Sequence, residues 1–158
     1  MRYLFVFLLL VSFNARAQNS TVEVFRRHKF ECDKSGTTPD VNICSREKAN
    51  FADSLLKRLW KQKLKELDID IQGFSVANLK RRGQKTDSSD LKVFKEQQAH
   101  SIRLKQKLVS SQHVWLKLRE RNYEYALESC AGGTGCTAIA NDVYLSDTLE
   151  RISWLEKM

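Results

Sequence analysis

Four cysteines carry the most versatile chemistry in this sequence: Cys32, Cys44, Cys130 and Cys136. Such side chains can ligate a metal, attack as thiolates or close as disulfides. The spacings Cys32-x₁₁-Cys44 and Cys130-x₅-Cys136 depart from the C-x₂₋₄-C of a structural zinc site, and His28, His100 and His113 are scattered. No metal site and no cofactor are expected. Hydrolytic chemistry finds no better footing, because no histidine belongs to a nucleophile-elbow or triad motif. Gly132-Gly133 lacks the lysine and following helix start of a phosphate loop. The 19 acidic residues imply no catalytic pair beyond what any chain of this composition would offer. The expectation is a non-enzyme that works by binding, structure or inhibition.

The compartment decides what the cysteines do. Met1-Arg2 is a short basic start, Tyr3 to Val11 is uninterrupted apolar sequence extended by Phe13, and Ala15-Arg16-Ala17 places small residues at a cleavage site. That is the pattern of a secretory signal peptide over residues 1–17. The apolar run is roughly half of the about 20 residues needed to span a bilayer. The mature protein is therefore expected to begin at or near Gln18, to be periplasmic or extracellular, and to keep no transmembrane segment. An even cysteine count in an oxidising compartment reads as two disulfides. Joining nearest neighbours gives Cys32–Cys44 and Cys130–Cys136, each contributing roughly 2–3 kcal/mol in the chain-entropy picture. Four cysteines allow three pairings in all.

The elements that must position these residues are helical. One proline in 158 residues, with long stretches of Leu, Lys, Glu and Gln, favours helix and leaves no convincing strand. Thr38-Pro39-Asp40 predicts a helix start, with Thr38 as cap, Pro39 in the first turn and Asp40 at the positive helix end. Phe51, Leu55, Leu56, Leu59, Trp60, Leu64 and Leu67 recur at three-to-five spacing, with Lys57, Arg58, Lys61, Lys63 and Lys65 between them, an amphipathic pattern. Residues 68–90 break it with Gly73, Gly83 and a Thr-Asp-Ser-Ser-Asp run, and are expected to form a loop. Helix resumes near Leu91 and runs to about Leu127, with Leu104, Leu108, Trp115 and Leu118 expected on the inner face beside Gln112. The glycines of Cys130–Cys136 stop it, and a last helix over roughly 138–156 offers Val143, Leu145, Leu149, Ile152 and Leu155 to the core. The expected fold is all-α, a small disulfide-stapled helical hairpin or bundle forming a single domain over residues 18–158.

Charge is unevenly divided along the chain. The whole sequence carries +8, and removal of Arg2 and Arg16 with the signal leaves 25 basic against 19 acidic residues, or +6. Residues 120–158 hold seven acids against Arg121, Arg151 and Lys157, a net −4, so residues 18–119 carry +10. Lys80-Arg81-Arg82 lacks the interleaved aromatics of a nucleic-acid contact, and no nucleic-acid partner is expected. Glu120, Glu124 and Glu128 are spaced at i, i+4 and i+8, which makes an acidic stripe on one helix face with Tyr123 and Tyr125 beside it. These five residues are the candidate binding site.

Several motifs in order along the chain resemble the lysozyme inhibitor LprI N-terminal domain family. Cys32-x₁₁-Cys44, with Thr38-Pro39 inside it and Ile43 before the second cysteine, is similar to the family's start. Asp53-x₂-Leu56-x₃-Trp60 is similar to its D-x-x-L-N-x-x-Y stretch, with Lys57 in place of Asn and Trp60 in place of Tyr. Leu108-x₃-Gln112-x₂-Trp115-x₃-Arg119 matches L-x₃-Q-x₂-W-x₃-R, followed by Gly132-Gly133-Thr134 and Thr148-x₂-Arg151-x₃-Leu155. Two cysteines usual in the family are replaced by Tyr123 and Val143, while Cys130 and Cys136 appear instead. Trp60 and Trp115 also stand farther apart than usual, which makes residues 68–90 look like an insertion.

Leu108, Gln112, Trp115, Arg119, Gly132, Gly133, Thr148 and Arg151 are expected to be structural, the helical ones meeting across a helix pair. The resemblance implies an envelope protein of the kind that inhibits lysozyme, with a lysozyme or another envelope protein as partner. A different class of function, an envelope binding module holding anionic material through residues 18–119, fits the charge division as well. Two expectations are directly measurable. Intact mass should place the mature start near Gln18, and alkylation of the denatured, unreduced protein should add no mass, whereas labelling of all four cysteines would refute the disulfides.

Overall fold

The computed structural model describes residues 20–34, 36–81 and 87–158. The expected signal segment 1–17 and the side chains of Lys80-Arg81-Arg82 lie outside the described part. What is described is all-α: α1 (Thr21–Arg27), a 3-10 turn (Glu31–Lys34), α2 (Thr38–Gly73), α3 (Val76–Arg81), α4 (Ser88–Ser129) and α5 (Cys136–Glu156). α5 lies against both α2 and α4, which also touch each other, and α1 packs on α5 and α2. Disulfides join Cys32 to Cys44 and Cys130 to Cys136, so each ties a helix end to the segment beside it.

Helix starts follow local hydrogen bonding. Thr37, and not Thr38, caps α2: its hydroxyl oxygen accepts from the Asp40 amide at 3.4 Å, and Thr38 is already helical. The shift has a simple cause, since a cap accepts from the amide three residues on, and Asp40 returns the favour by pairing its carboxylate with the Thr37 hydroxyl. Asp87 caps α4 in the same way, accepting from the Asp90 amide at 2.8 Å. Between α4 and α5 the chain reverses through two residues in the left-handed region, Ala131 (φ 55°) and Gly132 (φ 81°), the second of which glycine occupies without steric cost.

The expected loop over 68–90 is corrected. Residues 68–73 continue α2, 76–81 form α3, and α4 has begun by 88. Gly73 ends a helix instead of breaking one early, and polar pairs hold the added length together. Lys105 reaches Asp68 at 2.5 Å, and Gln98 donates to the Ile71 carbonyl at 3.1 Å. With 21 residues, α5 spans about 32 Å at 1.5 Å per residue. α2 and α4, at 36 and 42 residues, continue past it as a two-helix arm.

Leu55, Leu56 and Leu59 from α2, Leu108 from α4, and Ile152 and Leu155 from α5 form the buried core, flanked by Phe51, Trp60, Leu64, Leu67, Trp115 and Leu149. Two inner positions expected on α4 are wrong: Leu104 is 41% exposed and Leu118 is 55% exposed. The inward line is Leu108, Gln112, Trp115 and Arg119, at helical spacing, and Arg119 takes the place expected of Leu118.

A guanidinium can sit there because it is paired. Arg119 Nη1 donates to Asp53 Oδ1 of α2 and to Thr148 Oγ1 of α5, each at 2.9 Å. Tyr144 donates its hydroxyl to the same Asp53 oxygen at 3.3 Å, and the Arg119 guanidinium lies 3.9 Å from the centre of the Tyr144 ring. One turn further along, Arg151 donates to Gln112 Oε1 and Ser111 Oγ, each at 2.9 Å, and stacks over Trp154 at 4.2 Å. Trp115 lies between the two arginines, 4.6 Å from Arg119 and 5.7 Å from Arg151. Near the other end of α5, Asn141 Nδ2 donates to Ser45 Oγ at 3.0 Å.

Burial by itself would raise the Asp53 carboxyl, but hydrogen bonds from Lys57 and Arg119, with their charges, hold it below the ordinary carboxylate value. A depressed folded-state value contributes stability above the unfolded pKa of about 4, and that contribution is lost as pH falls through the folded value. Asp53→Asn should therefore destabilise by roughly 3 kcal/mol at neutral pH, because Arg119 is left buried without its counter-charge. Thermal melts against pH check this: the gap between variant and wild type should close in acid, and a pH-independent gap would contradict it. Trp115→Ala should cost roughly 3–5 kcal/mol in the same melts.

Candidate binding face

The buried Arg119 sets the rotation of α4, and rotation decides what the end of that helix shows to solvent. Arg119 and Ala126 face inward, so Glu120, Glu124 and Glu128 all fall on the exposed side. Among the described residues none of the three carboxylates takes part in an ion pair. They are free to meet an external cation without first breaking an internal bond. Tyr125 stands beside them with 73% of its surface exposed.

Tyr123 is placed differently from Tyr125. It is half-buried and meets the Tyr144 ring edge-on, with centroids 6.2 Å apart. Together with Tyr144, Glu120, Arg46, Ala49, Asn50 and Asn141 it lines a small cleft between the three long helices. Burial, reinforced by the Asp53 charge and opposed by that of Arg119, raises the Tyr144 phenol above its ordinary value, so this hydroxyl stays protonated at neutral pH. Of the five candidate residues, then, Glu124, Glu128 and Tyr125 stand on the open face, Tyr123 lies in the cleft, and Glu120 borders both.

The remaining residues singled out from the sequence lie in the interior or at the turn. Gln112, Arg119, Thr148 and Arg151 are buried and hydrogen-bonded to one another's neighbourhood as described, while Gly132 and Gly133 form the reversal after Cys130. Two polar residues that sequence reasoning passed over help to shape the face. Asn122 donates to Asp147 Oδ2 at 2.8 Å and so fixes the splay of α5 against α4. Asp53 was visible only as a motif position, although an acid inside the apolar stripe of α2 is itself a signal of a buried cation.

All described cysteines are in disulfides, and among the described residues no group of three or more His, Cys, Asp or Glu side chains is arranged to hold a metal ion. No described helix is long and apolar enough to cross a membrane. What the arrangement offers is a shaped, charged surface.

Comparison with known proteins adds one finding. No curated protein and no solved structure matches the chain. The family model described as lysozyme inhibitor LprI matches residues 32–155, from the first cysteine to the last core leucine and through the whole Arg119 network. On that match, which covers most of its length, the chain belongs to the lysozyme inhibitor LprI family.

Proposed function

We propose that this protein is exported and inhibits a lysozyme by occupying it, without catalysis, through the acidic end of its bundle. Family membership supports a lysozyme-inhibitor-like role in general. The two disulfides support an oxidising, extracytoplasmic location. The observation that carries the finer reading is the exposure of Glu120, Glu124 and Glu128, none of them in an ion pair among the described residues. Many lysozymes are strongly basic, and a mature chain of +6 repels such an enzyme at long range unless it approaches by its negative part. Residues 120–158, at −4, are that part. Blocking a glycosidase needs no reactive group, only a complementary surface held over the substrate cleft.

Charge reversal in each half tests this. Glu120, Glu124 and Glu128 changed together to Lys should weaken inhibition of a basic lysozyme about tenfold or more, mostly by slower association at low salt. Lys80, Arg81 and Arg82 changed together to Glu should leave inhibition unchanged or improve it. Circular dichroism should report the same helix content in both. The opposite ranking would favour the binding of anionic envelope material by residues 18–119, and no inhibition by the wild type of any lysozyme tested would refute the reading.

A further inference from the structure

Where the end of α4 meets the start of α5 the surface is concave and mostly apolar. Tyr125, Ala126, Ser129, Cys130, Ile139 and Val143 line this groove, with Asn122 at one end. Ala126 is almost fully buried at its floor, while Tyr125 and Ile139 stand on its two walls with 73% and 52% of their surfaces exposed. The groove's shape is fixed from both ends. The Cys130–Cys136 disulfide ties the last turn of α4 to the first of α5, and the Asn122–Asp147 hydrogen bond ties the same helices further along. A concavity held in this way loses little freedom when filled, which is what a preformed binding pocket requires.

The apolar surface does not stop at the groove. Val114 and Leu118, 64% and 55% exposed, share a face of α4 with Tyr125 at i, i+4 and i+11. A run of large exposed apolar side chains beside a pocket marks an interaction surface. Charge chooses the occupant. Across residues 120–150 six acids stand against Arg121 alone. A second copy docking by the same face would bring two such acidic segments together, and an isologous contact of that kind is penalised by like charge.

We infer that this groove seats an aliphatic or aromatic side chain presented by a basic protein, whose cations meet the exposed carboxylates around it. The groove supplies the slow dissociation and the acids supply the approach. Taking the basic protein to be a lysozyme rests on the inhibitor reading above.

The test is binding kinetics of the mature protein on an immobilised basic lysozyme, at low and at physiological salt. Tyr125→Ala and Ile139→Ser should each weaken binding about tenfold, through faster dissociation with association nearly unchanged. Ile69→Ser removes an equally exposed side chain (57%) from α2, outside the groove, and should leave both rates as they are. Thermal melts confirm that all three variants fold, as their exposure leads one to expect. Wild-type kinetics in both groove variants would overturn the groove while leaving the inhibitor reading in place. Absence of any binding by the wild type would bring down both. Wild-type self-association that Ile139→Ser abolishes would assign the groove to a second copy and overturn the inference.

Discussion

A buried arginine organises this molecule. Arg119 is 6% exposed and binds Asp53 of α2 and Thr148 of α5 at the same nitrogen, so its side chain touches all three long helices. A charge in such a place is tolerated only while its partners stay in hydrogen-bond range. A slip of any helix by one residue would rotate Asp53 or Thr148 about 100° away and strand the guanidinium. The apolar contacts of Leu55, Leu59, Leu108 and Ile152 supply cohesion, but comparable aliphatic stripes could pack in more than one register. Arg119, with the Arg151–Gln112 pair further along the bundle, selects one.

That selection reaches the surface. With Arg119 pointing inward, the glutamates at 120, 124 and 128 must point out, and Tyr125 with them. The acidic segment is thus carried on a helix anchored by a cation at its root. The densest basic stretches are Lys57, Arg58, Lys61, Lys63 and Lys65 in the middle of α2, and Arg103, Lys105 and Lys107 on α4. Under the proposed function a basic enzyme approaches by this acidic segment, beside the apolar groove.

Much of this was legible before the structure. The amphipathic stripe of α2, the extent of α4, the glycine-rich reversal and the spacing of Glu120, Glu124 and Glu128 all follow from local rules of period and turn chemistry, while of the three possible disulfide pairings the structure selects the nearest-neighbour one. What escaped is tertiary. Leu118 fits an apolar period as well as its neighbours do, and only Asp53, 66 residues away, explains why Arg119 displaces it. Residues 68–73 and 76–81 carry weak helix signals, and pairing with α4 through Lys105 and Gln98 stabilises the first of them, which propensity alone would leave as loop. Tyr123 and Tyr125 look equivalent in sequence, yet a 200° rotation between them sends one into a cleft and leaves the other in solvent. The groove has no sequence signature at all, because it exists only between two helix ends brought together by the Cys130–Cys136 bridge.

Under the proposed function a basic lysozyme docks on the end of the bundle where α4 meets α5. Amide hydrogen exchange of the mature protein, with and without the enzyme, tests it most directly because it reports every helix at once. Docking should slow exchange over residues 118–143 and leave the two-helix arm at residues 64–73 and 88–104 unchanged. Protection confined to that arm, with residues 118–143 exchanging as in the free protein, would contradict docking at the α4–α5 end.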